Sequence, residues 1–251
     1  MKGRQLHTWD LEPAAAIALQ RELRTAVVVE PLAEPVTLVA GCDVSADRGS
    51  STGYAGIVVL RLPDLAVVDR AGAVGTLRFP YIPGLLSFRE SPLLLEAWER
   101  LQTDPDAVMV DGQGVAHPRR FGIACHFGLL IDRPTIGCAK TVLVGTYRDL
   151  GPDPGSTAPL VDRDEVIGAA VRTRRATAPV FVSVGHRVDL DSAVRLTLAC
   201  RVLERGVEQP PRAPGEVPCA NARYRIPEPT RQAHLFVNAM RRGAAQDTAF
   251  R

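Results

Sequence analysis

Two short apolar runs, each closed by an aspartate, constrain this chain more than any other feature. Residues 36–43 read V-T-L-V-A-G-C-D and residues 107–111 read A-V-M-V-D. A nearly continuous apolar run of this length is how a strand covered on both faces reads, since neither face needs a polar residue. If the two strands are neighbours, Asp43 and Asp111 converge at one edge of a sheet. Two anions brought together repel each other unless a cation lies between them. Either aspartate alone is well explained as the end of its strand or the cap of the next turn. The pair, with Glu90 nearby in the chain, is better explained as a divalent-metal site. Magnesium takes a few carboxylates together with water and phosphate oxygens. A hydrolase with paired metals, roughly 3.5–4 Å apart, activates water at one ion and stabilises the leaving oxygen at the other.

The rest of the chain supplies a frame for such an edge. Residues 54–60 and 65–74 are strand candidates separated by the turn Leu62-Pro63-Asp64, so that with the first run they suggest an antiparallel meander. In 13–24, Ala16, Ile17, Leu19, Gln20 and Leu23 fall at helical spacing and mark a packing helix. Helical spacing returns over 86–101, and a helix over 118–131 precedes a strand at 135–139 that ends at Lys140. Strand, helix and strand imply a parallel crossover. Further strands are expected at 165–172 and 180–184, and helices at 190–203 and 230–242. Residues 206–229 hold six prolines without periodicity and read as a long surface loop. The sum is an α/β chain of ribonuclease H-like order: one domain over 1–251, a mixed sheet of antiparallel meander plus parallel strands, flanked by helices.

Composition narrows the setting. A chain of 251 residues with 46% hydrophobic and 23% charged residues can bury a substantial core. No apolar run approaches about 18 residues and no leader pattern opens the chain, which predicts no membrane span and a cytoplasmic protein. Five cysteines without C-x-x-C spacing fit reduced thiols better than a disulfide framework or a zinc site. The net charge of +2 is too small to argue for a polyanionic partner. Of 30 lysines and arginines only Lys2 and Lys140 are lysine, which leaves 28 arginines and makes an interior lysine unusual.

Two loops carry further chemistry. Residues 79–90 read F-P-Y-I-P-G-L-L-S-F-R-E, in which two prolines make a stiff extended loop around Tyr81. An aromatic on such a loop suits insertion into a base stack as well as it suits a core, and Gly84 permits close backbone approach to a ligand. Residues 111–126 read D-G-Q-G-V-A-H-P-R-R-F-G-I-A-C-H. Gly112-Gln113-Gly114 makes a tight turn under a flat ligand. Arg119 and Arg120 fit phosphate contacts and a solvated basic face equally. Gly49 to Gly53 has the spacing of a nucleophile elbow but joins two strands, so acyl hydrolysis is set aside. His126 and His186 are assigned no chemistry.

Four segments, F-P-Y-I-P-G-L-L-S-F-R-E, V-D-G-Q-G-x-x-H-P-R, P-T-I-G-x-A-K and R-I-P-E-P-T-R-x-A-H, resemble the motif set of bacterial endonuclease V in order and over nearly the whole chain. The resemblance implies a metal site of Asp43, Glu90, Asp111 and His234, binding Mg2+ with Mn2+ as a substitute, and places Lys140 and His117 near the scissile phosphate. It implies that Arg231 faces the nucleic acid and that Pro80, Tyr81, Ile82 and Pro83 form a strand-separating wedge. The base pocket would be lined by Gly84, Leu86, Gly112 and Ile123. The implied reaction is hydrolysis of the second phosphodiester 3′ to a deaminated purine such as hypoxanthine, leaving 3′-hydroxyl and 5′-phosphate ends. The implied partner is deoxyinosine-containing DNA, bound by a monomer. An inosine-specific endoribonuclease acting on RNA is the alternative among enzymes. A non-catalytic nucleic-acid-binding protein is the alternative outside them, and the intact acids argue against it. The departures are cysteines at 42, 125 and 138 and a loop over 201–225 that looks longer than usual.

Overall fold

Leu38–Ala46 (β1) pairs antiparallel with Thr52–Arg61 (β2), and β2 with Ala66–Thr76 (β3), so the three form the expected meander. The structure is a computed structural model and describes residues 1–46, 51–204 and 221–243. On the other side of β1, Ala107–Val110 (β4) and then Thr135–Ala139 (β5) add in parallel, linked by the crossover helix Ile123–Ile131 (α3). Thr157–Asp162 (β6), Glu165–Val171 (β7) and Val180–His186 (β8) extend the sheet antiparallel, giving eight strands in the order β3-β2-β1-β4-β5-β8-β7-β6. The sheet is mixed, and helices cover both faces.

Strand alternation divides the core. Ala40, Cys42, Val108 and Val110 pack with Trp98 and Phe127, which come from Leu86–Arg100 (α2) and α3. Their neighbours Val39, Met109 and Ile136 lie in a second cluster with Ala193 and Leu196 of Leu190–Ala199 (α4). Pro13–Leu23 (α1) packs beside α2 through Ala16, next to Phe79, Leu85 and Phe88.

Several boundaries differ from the sequence reading. β1 runs past Asp43 to Ala46, because β2 continues to pair with it after β4 has stopped at Val110. Asp43 is therefore inside its strand, while Asp111 follows directly on β4. The crossover helix starts at Ile123 instead of 118: Arg120 takes a left-handed backbone and Gly122 is extended, so the preceding residues turn. α4 stops at Ala199, after which Leu203 bridges to Ala222. β6 was not foreseen, since Pro159 breaks its pattern; it is an edge strand, where a missing N–H is tolerated. Of the proline-rich stretch, 206–220 lies outside the described residues, as do Gly49 and Ser50 of the elbow-like segment.

The last helix, Glu228–Arg241 (α5), begins two residues earlier than expected, with Pro229 in its first turn, where proline is accommodated. It crosses the meander over Gly41, Gly56 and Gly72. A Cβ on Gly41 would lie 2.0 Å from the carbonyl of Pro229, while at Gly56 and Gly72 it would meet Val237 and Met240 at 2.7 Å. Backbone-to-backbone approach at Gly41 leaves no room for any side chain.

Gly41→Ala should therefore push the start of α5 off the sheet and destabilise the chain by about 1–3 kcal/mol, the usual cost of overpacking. Thermal melting followed by circular dichroism measures this. An unchanged melting temperature would show that α5 is not held by that contact.

Candidate active site

The acids meet because β1 and β4 run in parallel and in register. Cys42 pairs with Val110, and the Asp111 backbone N–H donates to the Cys42 carbonyl at 3.1 Å, which sets Asp111 beside Asp43. β5 ends at the same edge, where the Lys140 ammonium donates to Asp111 Oδ2. From above, α5 lowers His234 onto Asp43, with Nδ1 2.8 Å from Oδ2, while Asn238 Nδ2 lies 3.0 Å from His234 Nε2. Glu90 reaches the edge from α2. Asp43, Asp111 and His234 each offer a ligand atom, and these atoms lie within 4.8 Å of one another.

The electrostatics of the cluster favour a bound cation. Burial and then the charge of Asp111 push the Asp43 carboxyl up to about 6, against smaller opposing effects of His234 and Lys140. Burial, then Asp43 and Asp111, push Glu90 up to about 8, with Arg89 opposing. The adjacent Cys42 thiol is raised well above its ordinary value by burial and the same three acids. Two carboxylates and an imidazole on converging elements form a donor set that fits a hard divalent ion, which would favour the ionised acids.

A cavity of about 400 Å3 continues from these acids. It is lined by Asp43, Glu90, Asp111 and Lys140 on one side and by Tyr81, Pro83, Gly84, Leu86, Gly112, His117 and Ile123 on the other. Sequence reasoning thus named most of the wall. A Cβ on Gly112 would lie 2.5 Å from Ile123 Cγ2, so glycine is what keeps this part of the recess open. Tyr81 is 70% exposed at the rim, and Ile82 turns inward against the Phe79, Leu85 and Phe88 cluster. Within the proline-bracketed loop, Tyr81 projects and Ile82 anchors. Gln20, Val142 and Leu143 also line the cavity and were missed. Gln20 carried a signal, a polar residue at a helical position shared with apolar ones; Val142 and Leu143 carried none.

Other basic residues have duties inside the protein. Arg120 is ion-paired with Asp162 and Glu165 at 2.8 and 2.7 Å, so it is not a free phosphate contact. Arg231 bonds both oxygens of Glu228 and stacks on Tyr224, 4.1 Å from the ring centre. His117 is 2% exposed and its Nε2 donates to the Gly84 carbonyl; burial first, and the charge of Arg119, push it down to about 4.

Comparison with known proteins agrees with the geometry. The endonuclease V family profile matches residues 21–212. The chain is 49% identical to endonuclease V of Myxococcus xanthus over 239 residues, which is 95% of this chain and 93% of that one. The crystal structure of endonuclease V from Streptomyces avermitilis superposes with a TM-score of 0.82 at 43% identity, covering 94% of this chain and 96% of that one. A third similar structure is Ciona intestinalis endonuclease V in complex with a 24mer DNA containing an inosine followed by a ribo-adenosine. It has a TM-score of 0.71 and 25% identity and covers 92% and 98% of the two chains.

The raised carboxyls give a pH prediction for metal-free protein. Glu90 holds its proton to about pH 8 in the folded state but loses it near 4.5 when unfolded. The folded state therefore binds more protons across that window, and stability falls as pH rises through it. In EDTA, Glu90→Gln should melt about 4 °C or more above wild type at pH 8, a shift of roughly 1–2 kcal/mol. The difference should vanish near pH 4. A constant difference at all pH values would remove the ionised carboxylate as its cause.

Proposed function

The chain belongs to the endonuclease V family, and we propose that it cuts DNA at the second phosphodiester 3′ to deoxyinosine, leaving 3′-hydroxyl and 5′-phosphate ends. The single observation that carries this reading is the continuity of the cavity. A recess closed by backbone at Gly84 and Gly112 opens directly onto three carboxylates and a lysine. A flat base flipped into such a recess is read by main-chain groups, and its own sugar-phosphate then lies toward the acids. Tyr81 is exposed on a stiff loop at the rim, which supports a role for it in filling the gap that the base would leave in the stack.

The family's nucleases depend on a divalent metal, and we assign it here to Asp43, Asp111, Glu90 and His234, with Mg2+ as the ion and Mn2+ as a substitute. Bound there, such an ion would activate water and neutralise charge on the phosphate. Lys140 holds a compact positive charge on Asp111 at the floor of the cavity, within the space a scissile phosphate would enter. Arg231, fixed by Glu228, would steady the strand. We further propose that it acts as a single-domain monomer in the cytoplasm. Among the described residues no helix is long and apolar enough to cross a membrane. An inosine-directed ribonuclease is the second reading, because the strand held by the Ciona protein carries a ribo-adenosine after its inosine.

Matched DNA and RNA strands, each with one inosine, incubated with Mg2+ or EDTA and mapped for the cut, test the proposal. A cut at the second linkage in DNA, lost in EDTA, is expected. Asp111→Ala should abolish that cut yet retain binding to inosine DNA in calcium, because the acid holds metal more than substrate. Substantial turnover by Asp111→Ala in Mg2+ would sink the metal assignment. Lys140→Arg keeps the charge but replaces a point with a planar fork. It should slow single-turnover cleavage on the order of a hundredfold, about 2.7 kcal/mol of barrier. A rate near wild type would reduce Lys140 to a countercharge.

A further inference from the structure

Three side-chain donors beside the recess converge on one backbone atom. The Gly84 carbonyl oxygen accepts from Gln20 Nε2 at 3.0 Å, from His117 Nε2 at 3.0 Å and from Arg119 Nη2 at 2.7 Å. A carbonyl oxygen has two lone pairs, so three donors saturate it. The donors are also locked to one another. Gln20 Oε1 accepts from Arg119 Nε, and the Arg119 backbone N–H donates to His117 Nδ1 at 3.2 Å. That last bond leaves the proton of the neutral imidazole on Nε2, where it meets Gly84.

Gln20 uses its whole amide, since Nε2 also donates to the Phe121 carbonyl at 3.0 Å. The residue is 1% exposed on α1, whose other fully covered side chain is Ala16. Packing alone would be met by leucine or methionine at this position. A buried amide satisfied at both ends specifies a geometry, because any displacement strands polar groups away from water.

The clamped residue is the hinge of the Tyr81 loop. Pro80 and Pro83 fix their own φ angles, which stiffens the loop between them. Gly84 follows at φ +80°, a conformation glycine reaches without strain, and is the freest joint between the loop and α2. A side chain at 84 would strike the clamp itself, its Cβ 2.9 Å from Arg119 Nη2 and 3.3 Å from His117 Nε2. An aromatic that must enter a base stack works as a lever, and a lever on a free hinge yields before the stack does.

We propose that Gln20, Arg119 and His117 form a clamp on the Gly84 carbonyl that braces Tyr81 against the duplex, which makes Gln20 and Arg119 positioning residues for finding the lesion in paired DNA. The proposal rests on the reading of Tyr81 as the wedge. Its signature is selectivity: a single strand has little stack to open, so loosening the brace harms duplex recognition first.

The test is cleavage of one inosine strand, single and annealed, by Gln20→Met, Arg119→Gln and Tyr81→Ala, with thermal melting in parallel. Gln20→Met keeps length and removes every polar contact; Arg119→Gln, at a part-exposed site, carries the test if Gln20→Met does not fold. Arg119→Gln should lose on the order of tenfold in duplex kcat/KM, mainly through KM, with little change on the single strand, and Gln20→Met, whose side chain also lines the recess, should lose several-fold more on the duplex than on the single strand. A purely structural role would lower melting temperature and leave the duplex-to-single-strand ratio at its wild-type value. Tyr81→Ala should show the same duplex-specific loss. If it does while the clamp variants lose equally on both substrates, the clamp is overturned and the wedge stands. If Tyr81→Ala itself loses equally on both, the wedge reading fails and the proposal falls with it.

Discussion

Three carboxylates crowd the place where β4 runs out beside β1, and the electrostatic cost of that crowding organises the rest of the molecule. Asp43 and Glu90 hold their protons well above the ordinary carboxylate range because each is buried beside like charge. Compensation arrives from separate elements, a positive charge from Lys140 at the end of β5 and an imidazole contact from His234 on α5. The cluster is tolerable only while sheet, crossover and last helix keep their registers. A group of acids this unfavourable when ionised and empty becomes favourable around a divalent ion, which is how binding energy for a metal is stored in a fold.

Two features of the backbone make the convergence possible. Three strands run parallel and in register, so β1, β4 and β5 deliver Asp43, Asp111 and Lys140 within a short span, Asp43 from inside its strand and the other two just past the ends of theirs. Close contact of the Pro229 carbonyl with Gly41 then brings α5 down far enough for His234 to touch Asp43. The recess shares this edge, because the turn after β4 supplies both Asp111 and Gly112. The acid cluster and the recess are thus one turn of chain apart, and a movement of that turn would disturb both.

The acid pair was legible in the sequence because a doubly buried strand has a plain signature and a carboxylate beside its end interrupts it. Glu90, His234 and the recess were legible only through motifs, since they come from elements distant in the chain. Other parts were hidden for identifiable reasons. Arg119 and Arg120 are adjacent, yet one enters the Gly84 clamp and the other pairs with Asp162 and Glu165. The second fate depends on β6, whose proline masks it as a strand. Gln20 sits among apolar residues in α1 and reads as packing, because its partners, Gly84 and Phe121, are fixed only by tertiary contact. The true start of α3 was obscured by left-handed Arg120, a conformation that residue type does not announce.

The division of labour between arginine and lysine follows the same logic. Guanidinium groups in this structure bridge: Arg119 spans Gln20 and Gly84, Arg225 spans the carbonyls of Lys140 and Pro179, and Arg187 spans Glu30 and Asp132. A planar fork gives two bonds in a fixed direction, which suits a permanent joint. Lys140 is different. Its carbonyl is held by Arg225, so its backbone is pinned, and its ammonium makes one contact with Asp111. A rotatable point charge on a pinned backbone can keep an acid neutralised and then shift as a cation and a phosphate enter beside it. A fork would have to break two directed bonds to do so. In a chain with 28 arginines, a lysine at this position fits a site whose charges must rearrange during a reaction cycle.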